Sequence, residues 1–417
     1  RDVERGLHRL WMRLRECMQW KSLRKDVFDV TVVSPQCAIF KDLAECFHRL
    51  GYNTRLLNVS DGSVPLTWQK DSQHVLNLLE HGSTLTLFRN RSLLESDNWQ
   101  EPMPVSPADK DTWVSWWWDV PNVASLIDQT VITQTTPALS FAKAMLDSLP
   151  RGSQWLPPAA RMAFCQPEIA PEDKRYGVSF VGQSRWNLVR TQLAILRALV
   201  PDYLSTGQAL CEAWRWQGSA IALHQQLERD EPWMQMAIGR LAEASPAKAY
   251  YLEYVWRIAL TGAFRMAAVE TLIREGMPVA VFGDGEWLTS GIVPQQNFAG
   301  PLQLTELVDV YRQSEINLNL NFMQVSSTVN PKVLDISACN GTVLTDYRNE
   351  LDELFPYPDC RPASFSSLEE LPDRVRHLLT TDTRQQGAKC GEWVRSRHTM
   401  QHRAVWLADH YGLRGRW

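Results

Sequence analysis

Between residues 279 and 346 three apolar runs each end in a polar or glycine-bearing loop. The stretch reads VAVFGDGEW (279–287), YRQSEINLNLN (311–321) and NPKVLDISACNGTVLTD (330–346). A helical segment lies between the second and third runs. Strand-sized apolar runs alternating with helices are the pattern of a parallel sheet. In such sheets ligands sit in the crevice beyond the carboxyl ends of the strands. The stretch therefore restricts the ligand site as well as the fold.

At 417 residues, two domains are expected. A hydrophobic content of 44% supports sizeable cores, and a net charge of -4 gives no whole-chain argument for nucleic acid or an anionic membrane. The eight cysteines (17, 37, 46, 165, 211, 339, 360, 390) form no C-x-x-C and no metal-ligand cluster. Scattered free thiols in apolar segments suit a reducing, cytoplasmic compartment. No apolar run reaches the roughly 18–20 residues of a membrane span, and no signal-peptide core is present. The chain opens on Arg1 rather than Met, so a preceding segment is expected.

Residues 3–25 predict an amphipathic helix, with Leu7, Trp11, Leu14 and Met18 on one stripe and a basic remainder. A packed helix with a solvated face is preferred over a helix lying on anionic lipid at the inner membrane. Strand 28–33, helix 39–50 and strand 54–59 make a β-α-β opening. Its first loop, Ser34-Pro35-Gln36, lacks the glycines that hold a dinucleotide pyrophosphate. Further strands are expected at 85–88, 113–118 and 131–133, and a helix at 139–149. The proline- and charge-rich 165–175 reads as an interdomain linker. A second α/β unit then starts with strand 176–181, loop Gly182-Gln183-Ser184-Arg185 and helix 186–199. Residues 205–275 read as a helical insert. The expected domains are 1–170, 171–400 and a C-terminal helix 401–417.

Several constellations could carry chemistry. Gly283-Asp284-Gly285 follows a strand, and exposed N–H groups of such a loop can cradle phosphate. It equally suits an ordinary βα turn. Asn317, Asn319 and Asn321 alternate along one strand. They would either form a buried amide ladder or line a cleft for hydroxyl groups. Asn330-Pro331-Lys332 places a cation at a helix N-terminus, where phosphate is already favoured. Asp335, one turn on, suits a ribose diol or an exposed ion pair. His398 and His402 share a helical face, but H-T-M-Q-H lacks the glutamate of a zinc protease, so no metal is expected.

Taken in order, the segments WWWDVPN (116–122), WLPPAAR (155–161), YGVSFVGQSRWNLVR (176–190), the 279–346 block and RHTMQHR (397–403) resemble the bacterial CgeB-like (spore maturation protein) glycosyltransferases. These are related to the group 1 glycosyltransferases. The resemblance covers about 110–405. It implies an α/β GT-B fold, with two facing Rossmann-like domains, a nucleotide-sugar in the C-terminal one and the acceptor in the other. By position it implies diphosphate contact for Gly182, Gln183, Ser184, Arg185 and Arg190. Gly283, Asp284 and Gly285 would face the nucleotide, with Asn319 and Asn330 beside it. Lys332 stands where relatives usually carry arginine, and Asp335 where they carry glutamate. Ser327 occupies the earlier position of the paired-glutamate signature, which leaves retaining and inverting chemistry both open.

The expected activity is transfer of a sugar from a nucleotide-sugar to an acceptor hydroxyl, without a metal or other cofactor. Cations such as Lys332 and Arg185 would stabilise the departing diphosphate. Asp119 is the candidate general base, its alternative being a loop cap before Pro121. The acceptor would be a glycan, a lipid-linked glycan or a protein such as flagellin. A non-catalytic scaffold of the same fold and a sugar-nucleotide epimerase are the competing readings.

Overall fold

The computed structural model describes residues 28–35, 38–59, 83–89, 112–117, 139–149, 151–168, 170–200 and 219–413. Helix 3–25, strand 131–133 and Asp119 lie outside the described residues, as do 205–218 of the helical insert. The chain divides into two compact units. The first holds 1–140, 146–156 and 400–417; the second holds 141–145 and 157–399.

The first unit is built on a parallel sheet in the order β2-β1-β3-β4-β5-β6. Its strands are β1 (Phe28–Pro35), β2 (Thr54–Val59), β3 (Ser83–Arg89), β4 (Thr112–Trp117), β5 (Leu139–Ser140) and β6 (Gln154–Trp155). Helix α1 (Ala38–Arg49) joins β1 to β2 and buries Phe40, Leu43, Ala44, Cys46 and Phe47. The helix expected at 139–149 is instead β5 followed by a 3-10 turn, Lys143–Ser148. Sheet pairing wins there: Leu139 and Ser140 lie between β4 and β6, and the Ser140 carbonyl accepts from Leu156 N–H.

The second unit carries a parallel sheet in the order β12-β11-β10-β7-β8-β9. Its strands are β7 (Tyr176–Val181), β8 (Val279–Phe282), β9 (Phe298–Gly300), β10 (Ser314–Asn319), β11 (Val343–Asp346) and β12 (Ala363–Phe365). The helices of this unit are α2 (Trp186–Leu199), α3 (Ala220–Ala244), α4 (Pro246–Arg274), α5 (Glu286–Thr289), α6 (Leu307–Arg312), α7 (Pro331–Ala338), α8 (Glu350–Leu354), α9 (Leu371–Leu379) and α10 (Arg384–Arg397). The central strands are buried on both faces, which is why VAVF and VLTD read as continuous runs. Val178, Phe180, Val281, Ile316 and Leu318 belong to one core with Trp256 and Trp287.

The boundary between units falls at 156/157 rather than 170/171. Residues 165–175 are tied down in the second unit instead of linking domains. Asn340 Nδ2 donates to the Gln166 and Glu168 carbonyls, and Arg395 Nη1 donates to Gln166 as well. Helix α11 (Met400–His410) packs on α1 within the first unit. No helix among the described residues is long and apolar enough to cross a membrane.

Candidate functional site

Strand order fixes the first coordinate of the site. In the second sheet β7 and β10 are hydrogen-bonded neighbours, and the chain leaves them toward opposite sheet edges. Such a switch point opens a crevice at the carboxyl ends of the two strands. The loops that follow are 182–185 after β7 and 320–330 after β10.

Cations gather there. Asn330 caps α7, its Oδ1 accepting from Lys332 N–H at 3.0 Å, and Pro331 fills the first helical position. Lys332 is thereby set at the head of the helix, and its Nζ donates to the Val181 carbonyl at 2.6 Å. Burial pulls the Lys332 ammonium down to about 7, and the charges of Arg265, Arg161 and Arg185 reinforce the shift against Asp335. Arg185 opens α2 with φ 60° and ψ 22°, a left-handed conformation rare for a residue with a side chain. Its guanidinium lies 4.8 Å from the Phe322 ring centre, and that of Arg265 lies 4.7 Å from the same ring.

Arg265 comes from the middle of α4 and is 6% exposed. Its Nε has no hydrogen-bond partner, and its Nη2 makes one long contact, 3.4 Å to the Leu320 carbonyl. Burial, then Arg185, lowers its pKa to about 9. Neither Arg265 nor Lys332 forms an ion pair with a carboxylate among the described residues. The two carboxylates whose charge acts on these cations are paired elsewhere. Asp335 pairs with Arg161, accepting from its Nε (3.0 Å), Nη2 (2.7 Å) and backbone N–H (2.9 Å). Asp346 pairs with Arg348 and accepts from Asn321. A half-buried ammonium and a buried guanidinium, neither in a direct ion pair, are a combination that an anion would satisfy.

Glycine makes the cluster possible. A Cβ on Gly262 of α4 would lie 2.1 Å from Val189 Cγ2 and 3.6 Å from Arg185 Cβ, so only glycine lets α4 lie this close on α2. Thr261 Oγ1 then accepts from Met323 N–H at 2.9 Å, fastening the 320–330 loop to α4.

The remaining sequence candidates fall into two groups. Gly182 borders the cluster: a Cβ there would stand 3.8 Å from Lys332 Nζ. A Cβ on Gly283 would meet the Gly182 carbonyl at 2.3 Å, so this glycine allows the two loops to touch. The others are committed to the chain. Asp284 accepts from Ser184 N–H (2.9 Å) and Oγ (2.8 Å), and Glu286 accepts from Asn187 N–H (3.1 Å) and Nδ2 (2.7 Å). These two carboxylates occupy the N-terminus of α2, where phosphate was expected. Gly285 precedes the short helix α5. Gln183 and Arg190 are exposed, with Arg190 more than a turn into α2.

Asn317, Asn319 and Asn321 are 1%, 0% and 0% exposed and form a structural ladder. Asn317 Nδ2 donates to the Tyr311 and Thr342 carbonyls, and Asn319 Nδ2 to Thr345 Oγ1 and Asn321 Oδ1. These bonds take up the amide N–H groups within the chain, while Asn319 Oδ1 has no partner among the described residues. Asp335, at 2% exposure, accepts three hydrogen bonds from Arg161. His398 closes α10 near Trp393 and Phe355, and no group of three metal-ligating side chains occurs among the described residues.

Arg265 and Phe322 escaped the sequence reading. The available signal was a lone charge: Arg265 is the sole ionisable side chain between Arg257 and Glu270 in an otherwise apolar helical run. A lone charge within a buried stretch of helix makes a residue a site candidate.

Residues 264–409 match the model of a family described as glycosyl transferase-like. That match contains Arg265, Phe322, Lys332 and Asp335. No curated protein matches the chain. Among solved structures, a sucrose-phosphate synthase from Thermosynechococcus elongatus is similar with a TM-score of 0.54 and 9% identity, over 92% of this chain and 98% of that one. A glycosyltransferase from Rickettsia africae ESF-5 is similar with a TM-score of 0.51 and 8% identity, over 92% and 97%. At such identities the likeness is one of fold. The chain has the GT-B glycosyltransferase fold, an α/β architecture with a six-stranded parallel sheet in each unit.

Proposed function

We propose that the protein is a glycosyltransferase that takes a sugar from a nucleoside diphosphate sugar and passes it to an acceptor hydroxyl. The observation that supports this reading most is the pair of cations without an ion-pair partner among the described residues, half-buried Lys332 and buried Arg265, at the β7/β10 switch point. A diphosphate supplies the missing charge. As the glycosidic C–O bond breaks, negative charge grows on the departing β-phosphate, and preorganised cations stabilise that state. Arg185, held in its left-handed turn, completes the set. Fixed cations serve where other transferases use a divalent ion, so activity is expected to survive EDTA.

Asp284, Asn319, Asn330 and Asp335 act in this reading as positioning residues. They hold the α2 loop, the β10 end, the head of α7 and Arg161. Asp119 remains the proposed base of an inverting reaction, and the acceptor the proposed glycan, lipid-linked glycan or protein such as flagellin. Within the glycosyltransferases the order of segments favours the CgeB-like group. A thermal-shift screen with UDP, GDP, dTDP and CMP tests the core of the reading. One diphosphate should stabilise the wild type, and should fail with Lys332→Met. Absence of any shift, together with absence of donor turnover, favours the non-catalytic scaffold.

A further inference from the structure

A second unsatisfied group lies on the same side of the sheet, and it is an anion. Glu350 is 1% exposed and opens α8, just after β11. Its Oε1 accepts from Ser327 Oγ at 2.5 Å and from Lys143 N–H at 2.6 Å. Its Oε2 is buried with no hydrogen-bond partner. No cation among the described residues pairs with it; Lys143 Nζ goes to Glu353 instead. A buried carboxylate oxygen left empty is costly, and a ligand hydroxyl is the donor that relieves it without adding charge.

The position suits a sugar. Ser327 sits in the 320–330 loop, which has Phe322, under the Arg185 and Arg265 guanidiniums, at one end and leads into Lys332 at the other. The Glu350 backbone N–H binds the Ser327 carbonyl at 2.9 Å, so carboxylate and loop move as one. Thr328, next in the loop and 2% exposed, has an Oγ1 without a partner as well. Exposed Ser326, Tyr347 and Asn349 flank these groups along the chain. A diphosphate held by Lys332 and Arg265 carries its sugar within a few bonds.

Resting on the glycosyl-transfer reading, we propose that Glu350 accepts a hydroxyl of the transferred sugar and, by its charge, selects neutral sugars against uronic acids. The uncompensated carboxylate both rewards a hydroxyl donor and repels a sugar carboxylate. Thr328 Oγ1 supplies the adjoining polar contact.

The test measures dissociation constants by calorimetry for UDP, UDP-glucose and UDP-glucuronate, or for GDP, GDP-mannose and GDP-mannuronate if the guanine series binds. Wild type should favour the neutral sugar over the uronate by about tenfold or more. Glu350→Gln is isosteric; it should narrow that ratio to about threefold or less while leaving nucleoside diphosphate affinity within about twofold. An unchanged ratio, even with a lowered Tm, shows that Glu350 only caps the Lys143 turn and overturns the proposal. If the variant does not fold, the wild type alone decides, since a preference for the uronate sinks the idea. Loss of all nucleotide binding in the wild type removes the glycosyl-transfer reading itself, a different result from diphosphate binding without sugar discrimination.

Discussion

At the scale of single residues the site is defined by what its cations lack. A buried guanidinium without a carboxylate destabilises the empty protein, so Arg265 stands at a point where stability and function conflict. Arg265→Met keeps the length of the side chain and removes the charge. It should raise the thermal midpoint of the unliganded protein, or leave it unchanged, while nucleoside diphosphate affinity falls by about ten- to hundredfold. A fall in both quantities would show Arg265 to be a structural strut. Lys332 gives a pH signature. Its pKa is depressed to about 7 in the folded state against 10.5 for the free side chain. Between these values the unfolded chain binds more protons, so stability rises with pH from about 7 to about 10.5. The full effect is on the order of 5 kcal/mol, and below pH 7 it opposes folding undiminished. A bound diphosphate reverses the shift by restoring the ammonium. Calorimetry at pH 8 in two buffers of different ionisation enthalpy should detect uptake of most of one proton on binding, and Lys332→Met should abolish it. Lys332 was legible in the sequence because Asn-Pro-Lys is a local helix-start signal. Arg265 was not, because its role depends on which helix packs against which.

Elements explain why these residues meet. Strand 176–181 and helix 186–199 could be read to the residue, since apolar period and loop chemistry are local properties. The contact of α4 on α2 could not, being a property of two surfaces. Its determinant is Gly262, read before the structure as one more residue in a helical run. Val189 is fully buried and β-branched, so it has no other rotamer with which to make room. Gly262→Ala should therefore cost about 1–3 kcal/mol of stability and weaken nucleotide binding by displacing Arg265 from Arg185. Adding Val189→Ala should restore most of both, and a double-mutant cycle measures the coupling. Additive losses would mean that the close approach of the helices is not what sets the cluster. The 139–149 segment shows the converse limit. Its helical period is real, but pairing with β4 and β6 overrides it, and that pairing spans distant parts of the chain. The N–H groups of Ser184 and Asn187, at the start of α2, are taken for a related reason. Asp284 and Glu286, about a hundred positions away, already accept from them.

For the whole molecule the chain path matters more than the boundary between units. The backbone passes from one unit to the other at 140/141, 145/146, 156/157 and 399/400. The expected linker at 165–175 rests on proline and charge content, whereas the two compact units part at 156/157, and just beyond that point Arg161 pairs with Asp335 and Ala160 with Thr399 inside the second unit. The last crossing makes the first unit dependent on the end of the chain. In α11, Met400, Ala404, Leu407 and Ala408 are buried, and the helix packs on α1. Burying side chains of this kind contributes about 1.5–3 kcal/mol for each large one, a large part of the stability of a small domain. Ending the chain after Thr399 should leave that surface of α1 uncovered while leaving every residue of the β7/β10 site in place. Hydrogen exchange reads the two units separately in one experiment. Amides of 38–59 should exchange much faster in the shortened chain, and those of 176–181, 314–319 and 331–338 should keep their protection. Diphosphate binding should persist, with affinity within about threefold of the full chain. Loss of protection across β7, β10 and α7 as well would show that the second unit does not hold its anion site alone. Both the switch-point account of binding and the assignment of Lys332 and Arg265 would then need the first unit as a partner in folding.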